Sequence, residues 1–204
     1  PSMALDPRQL PAAHALPPDP EPLYGREADL TELHARLARH TLVTVVGPGG
    51  IGKTRLAWAA ARDDDSRWSG GVAWVDLSAL DQGTRVPAAV AQALDIVLPE
   101  RAAGDLSVAV ASVLRARHLL LLLDNCEHVL EAVRELVEAL HRPAPRVHVL
   151  ATSQEPLRLA HEQVIRLQTL PDAAAVRLFV ARATAADRRF IADEMHLLRV
   201  VRPA

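Results

Sequence analysis

Thr41-Leu42-Val43-Thr44-Val45-Val46-Gly47-Pro48-Gly49-Gly50-Ile51-Gly52-Lys53-Thr54-Arg55-Leu56-Ala57 is the stretch that decides the fold. Its first six residues are β-branched or apolar, as a buried parallel strand requires. Gly47 to Thr54 fits the pattern G-x-x-x-x-G-K-[ST] in full. From Lys53 to Ala61 the chain has no helix breaker, and Leu56, Ala57 and Ala60 recur at helical spacing. Strand, glycine loop and helix together form the setting in which that pattern binds phosphate. Successive backbone N–H groups and the helix N-terminus make a concave anion site. Gly49, Gly50 and Gly52 let the backbone bend and approach a phosphate closely.

Lys53 is the only lysine in a chain with 23 lysines and arginines. Arginine serves everywhere else, so the exception is informative. A compact ammonium on a flexible stem reaches into a tight loop where a planar guanidinium does not fit. Lys53 is therefore expected to bridge the β- and γ-phosphates of a nucleoside triphosphate, and the Thr54 hydroxyl to ligate Mg²⁺.

Working outward, the chain alternates apolar strands with helical patterns. Strands are expected near residues 71–77, 119–124, 147–152 and 163–167, the last alternating in part as an edge strand does. A helix with Leu30, Leu33 and Leu37 on one face precedes the loop strand. Two more helices lie between the second and third strands. One shows Val86, Val90 and Leu94 with Pro87 in its first turn; the other follows Asp105, a plausible N-cap, through Leu106, Val110, Val113 and Leu114. A longer helix is expected from Glu127 to His141, with Val129, Val133, Leu136, Val137 and Leu140 inward. Such alternation predicts an α/β fold: a five-stranded, mainly parallel sheet with helices on both faces. Phosphate would bind at the carboxyl ends of its strands.

Leu119-Leu120-Leu121-Leu122-Leu123-Asp124 has the form of a Walker B strand, delivering one carboxylate to the Mg²⁺. The alternative for Asp124 is a helix cap, but the metal role is favoured in a chain that already carries the phosphate loop. Asn125 stands where many such ATPases place a second acid, and an amide takes no proton at neutral pH. Glu127 is a candidate general base and His128 a weaker one. Glu127 is equally readable as a first-turn acid favoured by the helix dipole. Thr152-Ser153-Gln154 ends the fourth strand, where polar groups can sense a γ-phosphate or simply make the turn ahead of Pro156.

Bulk properties narrow the field. At 204 residues and 50% hydrophobic the chain has material for one sizeable core, and at 3% aromatic that core must be aliphatic. The net charge of −2, with no basic recognition helix, argues against direct nucleic-acid binding. No run reaches the ~18 apolar residues of a membrane span. A single cysteine, Cys126, excludes an internal disulfide and fits a reducing cytoplasm. Residues 1–22 hold seven prolines and read as an extended linker. We expect the nucleotide-binding core at residues 23–170 and a partial helical segment at 171–204, with one amphipathic helix through Val176, Phe179 and Val180.

Taken in order, these motifs resemble the STAND class of signalling ATPases, within the NB-ARC-like group found in large bacterial transcriptional regulators. Tyr24-Gly25-Arg26-Glu27 looks like the family's adenine-packing segment. Residues 46–57, Gly47, Pro48, Gly49, Gly50, Ile51, Gly52, Lys53, Thr54 and Arg55 among them, are similar to its phosphate loop. Leu123-Asp124-Asn125-Cys126-Glu127-His128 looks like a distinctive form of its Walker B, and residues 150–157, with Ser153 and Gln154, like its sensor strand. The resemblance implies an ATP- or ADP-bound switch with slow hydrolysis, joined to effector and sensor domains of a longer chain. It also implies a sensor strand inserted between the phosphate-loop and Walker B strands. Two departures stand out. Gln154 occupies a position where the family commonly has arginine, with Arg158 as a substitute four residues later. The Gly-Leu-Pro-type segment of the lid is absent, so a truncated unit is expected. Beside the switch stands a second reading, a non-catalytic nucleotide-binding scaffold.

Overall fold

The five leucines of residues 119–123 are all buried, yet they do not share one core. Leu119, Leu121 and Leu123 enter one apolar cluster; Leu120 and Leu122 enter a second on the opposite side of the sheet. Successive side chains of a strand point to opposite faces, so an unbroken apolar run demands cover on both. In the computed structural model, which describes residues 22–63, 65–97 and 105–187, both faces are covered.

The strands are β1 (Leu42–Val46), β2 (Val72–Asp76), β3 (Leu119–Asp124), β4 (Val147–Ser153) and β5 (Gln163–Arg166). They form one sheet in the order β2-β3-β4-β1-β5, and every pairing is parallel. The sequence reading of a mainly parallel sheet thus holds in stricter form. Strand β4, which carries Thr152 and Ser153, lies between β1 and β3 as expected, and β5 is an edge.

Helices α1 (Glu27–Leu37) and α2 (Lys53–Asp63) cover one face, burying Leu33, Leu37, Leu56, Ala57 and Ala60. Helices α3 (Val86–Ala93), α4 (Leu106–Leu114) and α5 (Leu130–His141) cover the other. Complete burial of one such leucine stabilises the fold by about 1.5–3 kcal/mol, so these stripes dominate its energetics. The α4 cap forms as expected, with the Asp105 carboxylate accepting from the Ser107 N–H at 2.9 Å.

Two expectations need correction. The helix anticipated from Glu127 begins only at Leu130, after a 3-10 turn over Cys126–His128. The cause is Asn125, which sits in the left-handed region (φ 60°, ψ 51°) and turns the chain before any α-helix can start. Helix α6 (Asp172–Ala186) buries Ala174 and Val176, whereas Phe179 is 52% exposed. Its inner face follows the small residues because Ala174 seats against Gly25. A Cβ at Gly25 would stand 2.3 Å from the Ala174 Cβ, and Gly25 itself has φ +64°. The proline-rich segment expected at residues 1–22 and the tail beyond residue 187 lie outside the described residues, save Pro22.

Candidate phosphate-loop site

The alternation that built the core also builds the site. Asp124 shares its face of β3 with Leu120 and Leu122; Thr152 shares its face of β4 with Leu150. Both therefore emerge on the α2 side of the sheet, at the carboxyl end of the strands, where α2 presents Thr54. The Thr54 hydroxyl donates to Asp124 Oδ1 at 2.8 Å, and the Thr152 hydroxyl donates to the same oxygen in a shorter bond. Asp124 is 2% exposed. Burial pushes its carboxyl above the ordinary range, against the two hydroxyl bonds that pull it down.

The glycine loop surrounds open space. A Cβ at Gly49, Gly50 or Gly52 would meet none of the described residues within 4 Å, while Gly50 and Gly52 hold φ of +74° and +100° that L side chains rarely adopt. Gly47 is different, since a Cβ there would press on Ile51 at 3.1 Å and the Leu167 carbonyl at 3.2 Å. The Lys53 ammonium folds back into the loop, donating to the carbonyls of Gly47 (2.9 Å) and Pro48 (3.1 Å), and is 7% exposed. The loop is tied to the sheet by Gly47 N–H to the Ser153 carbonyl at 3.2 Å.

Arg26 supports the loop from behind. Its guanidinium is 5% exposed and forks between Asp29 and the Ile51 carbonyl, each at 3.0 Å. Tyr24 and Gly25 lie beside it at the start of α1, half-buried, as is Arg55 in the first turn of α2.

The sensor and Walker B residues divide. The Gln154 amide donates to Glu127 Oε1 at 3.2 Å, and Glu127 Oε2 is buried without a partner among the described residues. Ser153 is buried on the opposite face from Thr152, and its hydroxyl accepts from the Glu155 N–H at 3.3 Å. Arg158 pairs with Glu155 at 2.9 Å on the surface. His128 reaches the Leu77 carbonyl at 2.9 Å. Cys126 is fully buried, donates to the Leu123 carbonyl at 3.4 Å, and has its thiol pushed strongly up by burial.

Two features of the site were not read from the sequence: the contact of Thr152 with Asp124, and any role for Asp76. Strand parity places Thr152, two residues after Leu150, on the α2 face, and the register then brings it beside Asp124. Asp76 ends β2 directly opposite Asp124 in the register. Its carboxylate accepts from the Ser78 N–H at 2.9 Å and the Asn125 amide at 3.1 Å. Burial works to raise its pKa, but these donors outweigh it, so the carboxyl sits below its ordinary value.

The donors fit a hard divalent cation. Mg²⁺ takes oxygen ligands and keeps several waters, and the Thr54 hydroxyl and Asp124 carboxylate present oxygens at one point. A buried carboxylate held against desolvation is the group such a cation stabilises.

Comparison with known proteins shows what the chain is similar to. Residues 22–152 match the family model described as "AAA ATPase domain". The Mycobacterium tuberculosis protein named "Putative HTH-type transcriptional regulator Rv0890c" is 37% identical over 153 residues, covering 74% of this chain and 17% of that protein. A second protein of that organism, "Uncharacterized protein Rv0894", is 35% identical over 161 residues, covering 78% of this chain and 40% of its own length. The chain thus spans less than half of either relative. Among solved structures, Cdc6p from Pyrobaculum aerophilum superposes with a TM-score of 0.68 at 18% identity, over 92% of this chain and 56% of that one. The STAND protein with a tetratricopeptide repeat sensor, PH0952 from Pyrococcus horikoshii, gives 0.61 at 15% identity, over 90% and 28%. At those identities the likeness is one of fold.

Proposed function

Because this chain belongs to the AAA ATPase domain family, we propose that it is the ATP/ADP-binding switch of a longer, signal-responsive transcriptional regulator, with slow Mg²⁺-dependent hydrolysis. One observation carries the reading. Lys53 lies inside an open glycine cradle, and Thr54 and Asp124 meet 2.8 Å apart at its edge. The backbone N–H groups of residues 49–54 would hold the phosphates, and Lys53 would exchange its two loop carbonyls for phosphate oxygens. Thr54 and Asp124 would hold Mg²⁺, whose role is to neutralise charge developing on the phosphates. Tyr24, Gly25 and Arg26 would border the base. Gln154 would lie toward the γ-phosphate, whereas Ser153, expected beside it, is turned to the opposite face of β4 and would support the strand end instead.

Slow turnover follows from the acid supply. Asn125 cannot accept a proton, and Glu127, the remaining candidate base, is held by Gln154 at 3.2 Å. The same pairing favours the second reading, a nucleotide-binding scaffold without hydrolysis. A role in the cytoplasm, with effector and sensor domains supplied by the longer protein and no nucleic-acid contact by this module, completes the proposal. No helix among the described residues is long and apolar enough to cross a membrane.

Phosphate release from ATP separates the two readings. The switch predicts slow, Mg²⁺-dependent release that Asp124→Ala reduces by about 100-fold or more, in line with loss of charge stabilisation. Nucleotide binding with no release above background would favour the scaffold.

A further inference from the structure

Asp76 and Asp124 end adjacent strands at the same register position, and both share the face of the sheet that α2 covers. Neighbouring parallel strands run about 4.8 Å apart, so two carboxylates placed this way repel unless something lies between them. Asn125 lies between them. Its left-handed backbone, which asparagine tolerates better than most residues, turns the side chain back across the strand ends. There its Nδ2 donates to Asp76 Oδ1 at 3.1 Å and to Asp124 Oδ2 at 3.3 Å. A primary amide has two N–H donors, and both are used, one on each carboxylate.

The two oxygens of Asp124 are thereby held from different sides. Oδ1 takes the hydroxyls of Thr54 and Thr152, while Oδ2 takes only Asn125 among the hydrogen bonds of its described neighbours. Asp76 is itself fixed by the Ser78 N–H at 2.9 Å, so it can anchor the amide. An acid in place of Asn125 would bring a third negative charge to this edge, which accounts physically for the amide.

We propose that Asp76 is a positioning residue for the metal-binding carboxylate: through the Asn125 amide it fixes Asp124 Oδ2. This rests on the nucleotide-binding reading above and deepens it. Partners of metal ligands one layer out commonly change metal affinity by about 10–100-fold. Among the described residues Asp76 takes hydrogen bonds from Ser78 and Asn125 and none from the phosphate loop, so its effect falls on the cation and leaves the nucleotide alone. Its own exposure, at the edge strand, keeps it out of the core.

The test titrates Mg²⁺ into the full chain with ATP and reads ATP affinity, beside parallel measurements in excess EDTA. Asp76→Ala is expected to leave affinity in EDTA unchanged and to raise the Mg²⁺ midpoint about tenfold. Asn125→Gly, which preserves the left-handed turn but removes the amide, should do the same. The double variant should be no worse than either alone, as two parts of one chain of contacts require. Asp76→Asn keeps an acceptor for both donors and should recover most of the loss. A midpoint for Asp76→Ala within about twofold of wild type, or full additivity in the double variant, overturns the proposal. Loss of folding in Asp76→Ala would assign the carboxylate to the fold and overturn it too. If wild type binds no ATP under any condition, the nucleotide reading itself fails. If wild type binds, Lys53→Ala does not, and Asp76→Ala is normal, only the present inference fails.

Discussion

The two ends of the sheet are closed by different physics. At the carboxyl end the polar groups satisfy one another provisionally: Lys53 on the Gly47 and Pro48 carbonyls, Thr54 and Thr152 on Asp124, Gln154 on Glu127. At the amino end the closure is ring on ring. Trp68, 3% exposed, lies 4.7 Å from His148 and 5.4 Å from His118 between ring centroids, with the Arg67 guanidinium 4.9 Å over it. The Trp68 N–H has no partner among the described residues, and His148 is tied to the His40 carbonyl at 3.1 Å. Hydrogen bonds can be exchanged for a ligand's at little net cost, because each is worth about 0.5–1.5 kcal/mol. Close packing of rings cannot be exchanged in that way. One end is built to be occupied; the other is built to hold.

The contrast predicts where substitutions act. Trp68→Ala should have the largest effect, lowering stability by about 3–5 kcal/mol as truncation of a buried aromatic does. Denaturant unfolding measures it, and ATP affinity of the remaining folded protein should not change. A weakened affinity would show that the ends are coupled and the contrast too simple.

A smaller effect is expected from the imidazoles. Burial, followed by the charges of Arg146 and Arg67, lowers the pKa of His118; burial, then Arg67 and His118, lowers that of His148 despite the His40 carbonyl. The unfolded chain therefore takes up these protons first as pH falls. Their contribution to stability is complete above the ordinary value of 6.5 and is lost as pH drops below it. The melting temperature should fall between about pH 7.5 and pH 5.5, and His148→Gln should flatten that slope. An unchanged slope would remove the histidine from the account.

The sequence carried what depends on neighbours in the chain. Strand, loop and helix around Lys53 are consecutive, so their residue types suffice, and the alternation in residues 119–123 already required two covered faces. What it did not carry are contacts across strands. Asp76 lies 49 residues from Asn125, and Thr152 lies 28 from Asp124; only the register brings them together. Asn125 was read for the proton it cannot take, whereas its backbone angle is what delays α5 and aims the amide. Phe179 was placed inward by helical periodicity alone, but contact with Gly25 admits only a small residue such as Ala174. Ser153 and Thr152 are neighbours in sequence and therefore on opposite faces of the strand, so alternation already barred the two from facing the phosphate loop together.

The most direct measurement is calorimetric titration of ATP and of ADP, with Mg²⁺, into wild type and Lys53→Ala at matched folding. Among the described residues Lys53 bonds to carbonyls of its own loop, so its loss should weaken nucleotide binding by about 100-fold while leaving the ligand-free melting temperature within a few degrees. Binding by Lys53→Ala at wild-type strength, or no binding by a folded wild-type chain, would contradict the account.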